Sequence, residues 1–99
     1  TGNHANKFGG AFFRVSYNGD ELNNFHYDLI DNNYISKTGN GLGGGLYLQG
    51  GTASILSTTI ANNAAEGAGG IFFVNKKSIV LNNVHLLGNL AYTKLGGAI

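Results

Sequence analysis

Cysteine and proline are both absent from the 99 residues of this chain. Without cysteine there is no disulfide framework and no thiolate to act as metal ligand or nucleophile. The lack of proline excludes a collagen-like chain, which needs it in abundance beside a glycine at every third position. Charge is sparse as well. Charged residues make up 11% and the formal net charge is +1, which gives no electrostatic push toward nucleic acid or anionic membranes. No run reaches the roughly 18 to 20 apolar residues that a membrane-crossing helix requires. The opening Thr1-Gly2-Asn3-His4 lacks the basic and apolar regions of a cleavable signal, and no Asn-X-Ser/Thr acceptor for N-glycosylation occurs.

What the chain has in quantity is glycine, 17 residues of it, with a hydrophobic fraction of 42% that is too high for a disordered linker. Many tight, recurring turns account for the glycine. Asparagines and glycines share a register. Asn3, Asn33, Asn63 and Asn89 each precede a glycine pair, at Gly9-Gly10, Gly44-Gly45, Gly69-Gly70 and Gly96-Gly97. Each pair runs into an apolar step, Ala11-Phe12, Leu46-Tyr47, Ile71-Phe72 and Ala98-Ile99. A unit recurring about every 26 to 30 residues marks a stacked repeat architecture, with units at about 3-32, 33-62, 63-88 and 89-99 within one segment spanning 1-99.

Alignment on the asparagines leaves two columns constantly apolar: Phe25, Ile55 and Leu81, and Ile30, Ile60 and Leu86. These are expected to face inward. The variable columns, Asp28, Thr58 and Val84 and Tyr27, Ser57 and Asn83, are expected to face water or a turn. Segments after the glycines are aromatic and β-branched, as strands are, so each unit offers about three short strands. The fold class that follows is all-β: a right-handed parallel β-helix of about 3.5 coils, with like residues of neighbouring coils about 4.8 Å apart. Phe12, Tyr47, Phe72 and Ile99 are expected to form an inner column. Asn33, Asn63 and Asn89, with Asn3 at the head of the row, are expected to adopt left-handed backbone angles and bond to one another as a ladder. The connection through 36–43 carries an insertion, which in a solenoid goes to a surface loop.

The pattern Ile30-x-x-Asn33, Ile60-x-x-Asn63 and Leu86-x-x-Asn89, followed by Gly44-Gly45-Leu46-Tyr47, Gly69-Gly70-Ile71-Phe72 and Gly96-Gly97-Ala98-Ile99, resembles the repeats of the polymorphic outer-membrane protein family. The resemblance covers nearly the whole chain, with isoleucine or leucine where that family usually carries phenylalanine. It implies the right-handed parallel β-helix of autotransporter passenger domains, displayed on cell surfaces and often adhesive. Leu81-x-x-Val84-x-Leu86-x-x-Asn89 also fits the leucine-rich-repeat consensus. Asp28 and Thr58 fail the leucine required at that repeat's middle column, and the glycine pairs fail the segment that follows its asparagine.

Candidate chemistry is thin. Glycoside hydrolysis needs two carboxylates facing each other across about 5 to 9.5 Å. Asp28 and Asp31 share one unit, but their columns continue with Thr58 and Ala61, so nothing across the stack answers them. Asp20-Glu21 reads as a polar turn, and two carboxylates fall short of the six or more oxygens a calcium ion takes. His4, His26 and His85 occupy different columns and do not converge on a metal. The glycine-rich run 39–45 lacks the lysine and hydroxyl of a nucleotide loop. Lys7, Lys37 and Lys94, with Glu66 interleaved, fall on the same connecting turn of successive units; this reads as a solvated face or a weak contact column for an anionic glycan or partner protein.

The expectation is therefore a structural and interaction module of a large cell-surface or secreted protein, serving as stalk, adhesin passenger or filament scaffold. It is not expected to be an enzyme or to carry a cofactor. Its partners would be neighbouring coils, stacked copies, a glycan or a surface protein. The chain reads as an ordered portion of a longer polypeptide, with end-to-end stacking of identical units as the other account. The competing class is the non-catalytic part of a β-helical polysaccharide lyase or hydrolase.

Overall fold

The structure, a computed structural model, describes residues 1–16, 22–36, 41–74, 78–92 and 96–99. All regular structure among them is β. The strands are β1 (His4–Ala5), β2 (Phe12–Val15), β3 (Leu22–His26), β4 (Leu29–Asp31), β5 (Tyr34–Ile35), β6 (Leu46–Gln49), β7 (Thr52–Leu56), β8 (Thr59–Ala61), β9 (Ala64–Ala65), β10 (Ile71–Val74), β11 (Ser78–Asn82), β12 (His85–Leu87) and β13 (Leu90–Ala91). Every fourth strand returns to the same sheet. One sheet has the order β1-β5-β9-β13, and three more have the orders β10-β6-β2, β11-β7-β3 and β12-β8-β4. All pairings are parallel. Each repeat thus contributes four strands, one more than the apolar pattern predicts, because the two-residue strands after the asparagines are too short to show an alternation.

Register stacks like on like. Phe25, Ile55 and Leu81 align, as do Ile30, Ile60 and Leu86. Strand alternation turns these columns inward. The core is Ile30, Leu46, Leu48, Ala53, Ile55, Ile60 and Ile71, with Phe25, Phe73, Val84 and Leu86 packed against it. Burial is deepest in the central layers, where Leu46, Leu48, Ile55, Ile60 and Ile71 are fully enclosed. At about 25 cal/mol per Å² of apolar surface, each such side chain contributes roughly 1.5 to 3 kcal/mol relative to exposure.

Sharp bends between strands share one recipe: a residue with left-handed backbone angles, then, in the enclosed layers, a residue directed inward. Tyr27, Ser57 and Asn83 take φ of 58, 47 and 54°, and Asn32, Asn62 and Gly88 take 55, 54 and 61°. The left-handed role therefore belongs to the residue before each register asparagine, not to Asn33, Asn63 or Asn89. The same recipe corrects the expectation for Thr58. It follows a left-handed residue, so it points inward, is fully buried, and donates its hydroxyl to the Leu56 carbonyl at 2.9 Å.

A third bend precedes β2, β6 and β10. Its left-handed residues are Gly9, Gly43, Ala68 and Gly96, with φ of 54, 72, 50 and 83°. Phe8 bridges to Leu42 and Leu42 to Gly67, which brings Gly10 level with Gly44 and Gly69. The backbone bonds Gly69 N to Gly96 O and Gly70 N to Gly97 O extend this column to Gly97. The doublets Gly9-Gly10 and Gly96-Gly97 thus sit one residue out of step with Gly44-Gly45 and Gly69-Gly70. What recurs at every layer is a single glycine. A Cβ on Gly10 would overlap the Gly44 carbonyl oxygen, and one on Gly44 the Gly69 carbonyl oxygen.

That one-residue step reverses an expected face. Leu46 pairs with Phe12 on one side and Ile71 on the other, while Tyr47 pairs with Phe13 and Phe72. The backbone bond from Ile71 N to Ala98 O places Ile99 beside Ile71. Phe12, Leu46, Ile71 and Ile99 therefore make the inner column, and Tyr47 and Phe72 belong to the outer one.

Candidate functional site

The register asparagines form a continuous hydrogen-bonded row. Asn3 donates through both its backbone N and its Nδ2 to Asn33 Oδ1, each at 2.9 Å. Asn33 donates in the same way to Asn63 Oδ1 at 2.9 and 3.0 Å, and Asn63 to Asn89 Oδ1 at 3.0 and 3.0 Å. The second amide proton of Asn63 reaches the Ile30 carbonyl, and that of Asn89 the Ile60 carbonyl. Asn33 and Asn63 are wholly buried. Such a row satisfies, layer by layer, backbone groups that burial would otherwise leave unpaired. Its role is structural, and it leaves the outward columns free to vary.

Those outward columns are the candidate contact surfaces. On the sheet β2-β6-β10, Tyr47 lies 5.0 Å from both Phe13 and Phe72, centroid to centroid, and Phe8 packs on Tyr47 at 4.8 Å. Tyr47 is 8% exposed among these rings, and Phe13, 49% exposed, is the most open of them. Beside it, Gly67 occupies the column position filled by Phe8 and Leu42 in earlier layers. A half-open pocket of about 340 Å³ lies there, lined by Leu42, Gly67, Ala68, Ile71, Phe72, Phe73 and Ile99.

Sheet β1-β5-β9-β13 carries the more varied face. Its outward column runs His4, Tyr34, Ala64 and Leu90. His4 and Tyr34 stack with centroids 4.3 Å apart and planes 10° apart. Ser36 Oγ shares a hydrogen bond with His4 Nε2 and donates to Asn6 Oδ1 at 3.3 Å. The His4 ring is thereby held flat on Tyr34. The apolar and asparagine pattern gave no sign of this group, although the 30-residue spacing of His4 and Tyr34 was its available signal.

Of the lysine column, Lys7 is exposed, with Nζ 5.4 Å from the Phe8 ring centroid, within cation–π range. Lys37 and Lys94 lie outside the described residues, as do Asp20, Glu21 and positions 37–40 of the connection that carries the insertion. Glu66 is 5% exposed, so it is a buried carboxylate rather than part of a solvated face. Asp31 aligns with Ala61 and Leu87 and accepts from Asn32 Nδ2 at 2.6 Å and Asn62 Nδ2 at 3.0 Å. It braces the left-handed bend. His4, His26 and His85 sit on three different sheets, and among the described residues no three His, Cys, Asp or Glu gather as a metal site. No described helix is long and apolar enough to cross a membrane. Comparison with known protein families, characterised proteins and solved structures found no match to this chain.

Proposed function

We propose that the chain is a right-handed parallel β-helix segment that serves as a structural and display module of a cell-surface or secreted protein. The observation that carries this reading is the buried asparagine row, which runs through successive repeats of unequal length without a break. Such a row fixes the stacking and asks nothing of the outer columns. The right hand follows from the strong preference of parallel crossover connections for that sense. The repeat motif's resemblance to surface-displayed passenger domains supports the location, and the outward faces supply the contact surface. The role is spacing and presentation rather than catalysis.

The test is surface labelling of intact cells that produce the protein, with an amine-reactive reagent that does not cross membranes. Labelling on intact cells, or recovery from the medium, is the expected result. Confinement of the unlabelled protein to the cell interior would overturn the reading.

A further inference from the structure

We propose, from the residues that stand in the inward columns, that the β1–β4 end of the stack is a polar cap that refuses a further β layer, a property independent of where the protein is displayed. Three inner columns change character along the stack. Arg14 is level with Leu48 and then Phe73, and Asn23 with Ala53 and then Ile79. The third column begins at Asp28, whose backbone N donates to Thr58 Oγ1 at 3.4 Å and whose carbonyl accepts from Thr59 N. It continues to Val84, which precedes the His85 N that donates to the Thr58 carbonyl. In the middle layer these positions are enclosed: Leu48, Ala53 and Thr58 are all buried. In the third they are apolar, and Phe73 and Val84 pack on the core. In the first they are a cation, an amide and an anion.

Arg14 and Asp28 are exposed, as ionised groups at the rim of an apolar interior must be. A coil or a foreign strand laid over β1–β4 would cover the columns in which they stand and strip their water away. That removal is costly even where an opposite charge is near. Asn23 is 7% exposed and donates Nδ2 to the Thr52 carbonyl at 3.2 Å, which commits its amide to the layer beneath. Phe12 and Phe25, the large inner residues of this layer, meet edge to face with centroids 5.2 Å apart. Charged groups at inward positions are one means by which open strand edges are kept from pairing, and terminal units of solenoids carry a polar outer face. The opposite end differs in chemistry: its inner columns reach Phe73, Ile79 and Val84, and Leu81 and Ile99 are 39% and 48% exposed.

Amide hydrogen exchange on the native protein tests the cap. Strands at an open edge leave alternate amides without a carbonyl partner. In the wild-type protein the edge-facing amides of β3 and β4 are expected to exchange freely at every concentration, while those bonded to β7 and β8 are protected. Arg14→Leu combined with Asp28→Val gives this layer the kind of residue that Leu48 and Val84 supply in the others. In that variant the same edge amides should slow at least about tenfold as concentration rises, with association visible in sedimentation velocity. Arg14→Lys combined with Asp28→Glu keeps both charges and should behave as wild type. Protection of the edge amides in the wild-type protein would reveal a β layer lying over them and overturn the cap, as would a folded Arg14→Leu, Asp28→Val protein that stays unassociated. The wild-type measurement decides even if that variant folds poorly, and neither result bears on the labelling experiment.

Discussion

Asn63 donates to Asn89 from two nitrogens at once, its backbone N and its Nδ2, both 3.0 Å from the same Oδ1. At the same time its own Oδ1 receives both donors of Asn33. Asn63→Ala strands those groups in a fully buried site, together with the Ile30 carbonyl. A loss of about 3 kcal/mol is expected in urea unfolding. Unchanged stability would show that the row is incidental to the stack.

Ile60 fills the centre of an inward column and is wholly buried, with Ile30 and Leu86 level with it in adjacent layers. Ile60→Ala is expected to cost about 3 kcal/mol through lost burial and the cavity left behind. Leu86→Ala, at a partly buried position of the same column, should cost roughly half as much. The ratio, read from paired denaturation curves, checks the inward assignment more sharply than either value.

Ala68 and Gly44 make opposite predictions at neighbouring positions of one bend. Ala68 holds a φ of 50° where Gly9, Gly43 and Gly96 stand in the other layers. Ala68→Gly relieves a left-handed alanine and should stabilise by about 0.5 to 1 kcal/mol. Gly44→Ala drives a methyl into the Gly69 carbonyl oxygen and should destabilise by roughly 3 kcal/mol. Equal effects of one sign would contradict the register described for this bend.

Tyr27 is 86% exposed and left-handed, with φ of 58°, at the position where Asn83 stands two layers on. Tyr27→Asn should raise the melting temperature, gaining about 0.5 kcal/mol because asparagine tolerates these angles better. A lower melting temperature would mean that the tyrosine ring makes a contact that outweighs its backbone strain.

These cases also show what the residues disclosed and what they concealed. The columns through Ile60 and Ile55 were legible because hydrophobes recur there at constant offset from the asparagines, on strands long enough to alternate. The bend before β6 was not. Gly9-Gly10 can be laid on Gly43-Gly44 or on Gly44-Gly45, and Gly96-Gly97 on Ala68-Gly69 or on Gly69-Gly70, and glycine carries no side chain to choose. A one-residue slip turns a strand over, which is how Tyr47 and Phe72 came to be expected inside. Left-handed backbone angles leave only a weak mark in residue type, so Tyr27, Ser57 and Ala68 gave no warning. The His4–Tyr34 face was hidden for a different reason: exposed columns vary from layer to layer, and pattern-matching discards variation.

Every bond from one asparagine of the row to another runs the same way, from each repeat to the one after it. The stack consequently has a grain, like wood. A unit added, deleted or exchanged in the interior meets the same donors below and the same acceptor above, whatever its loops contain, so length is adjustable in whole repeats. An inverted unit would set amide against amide and find no seat.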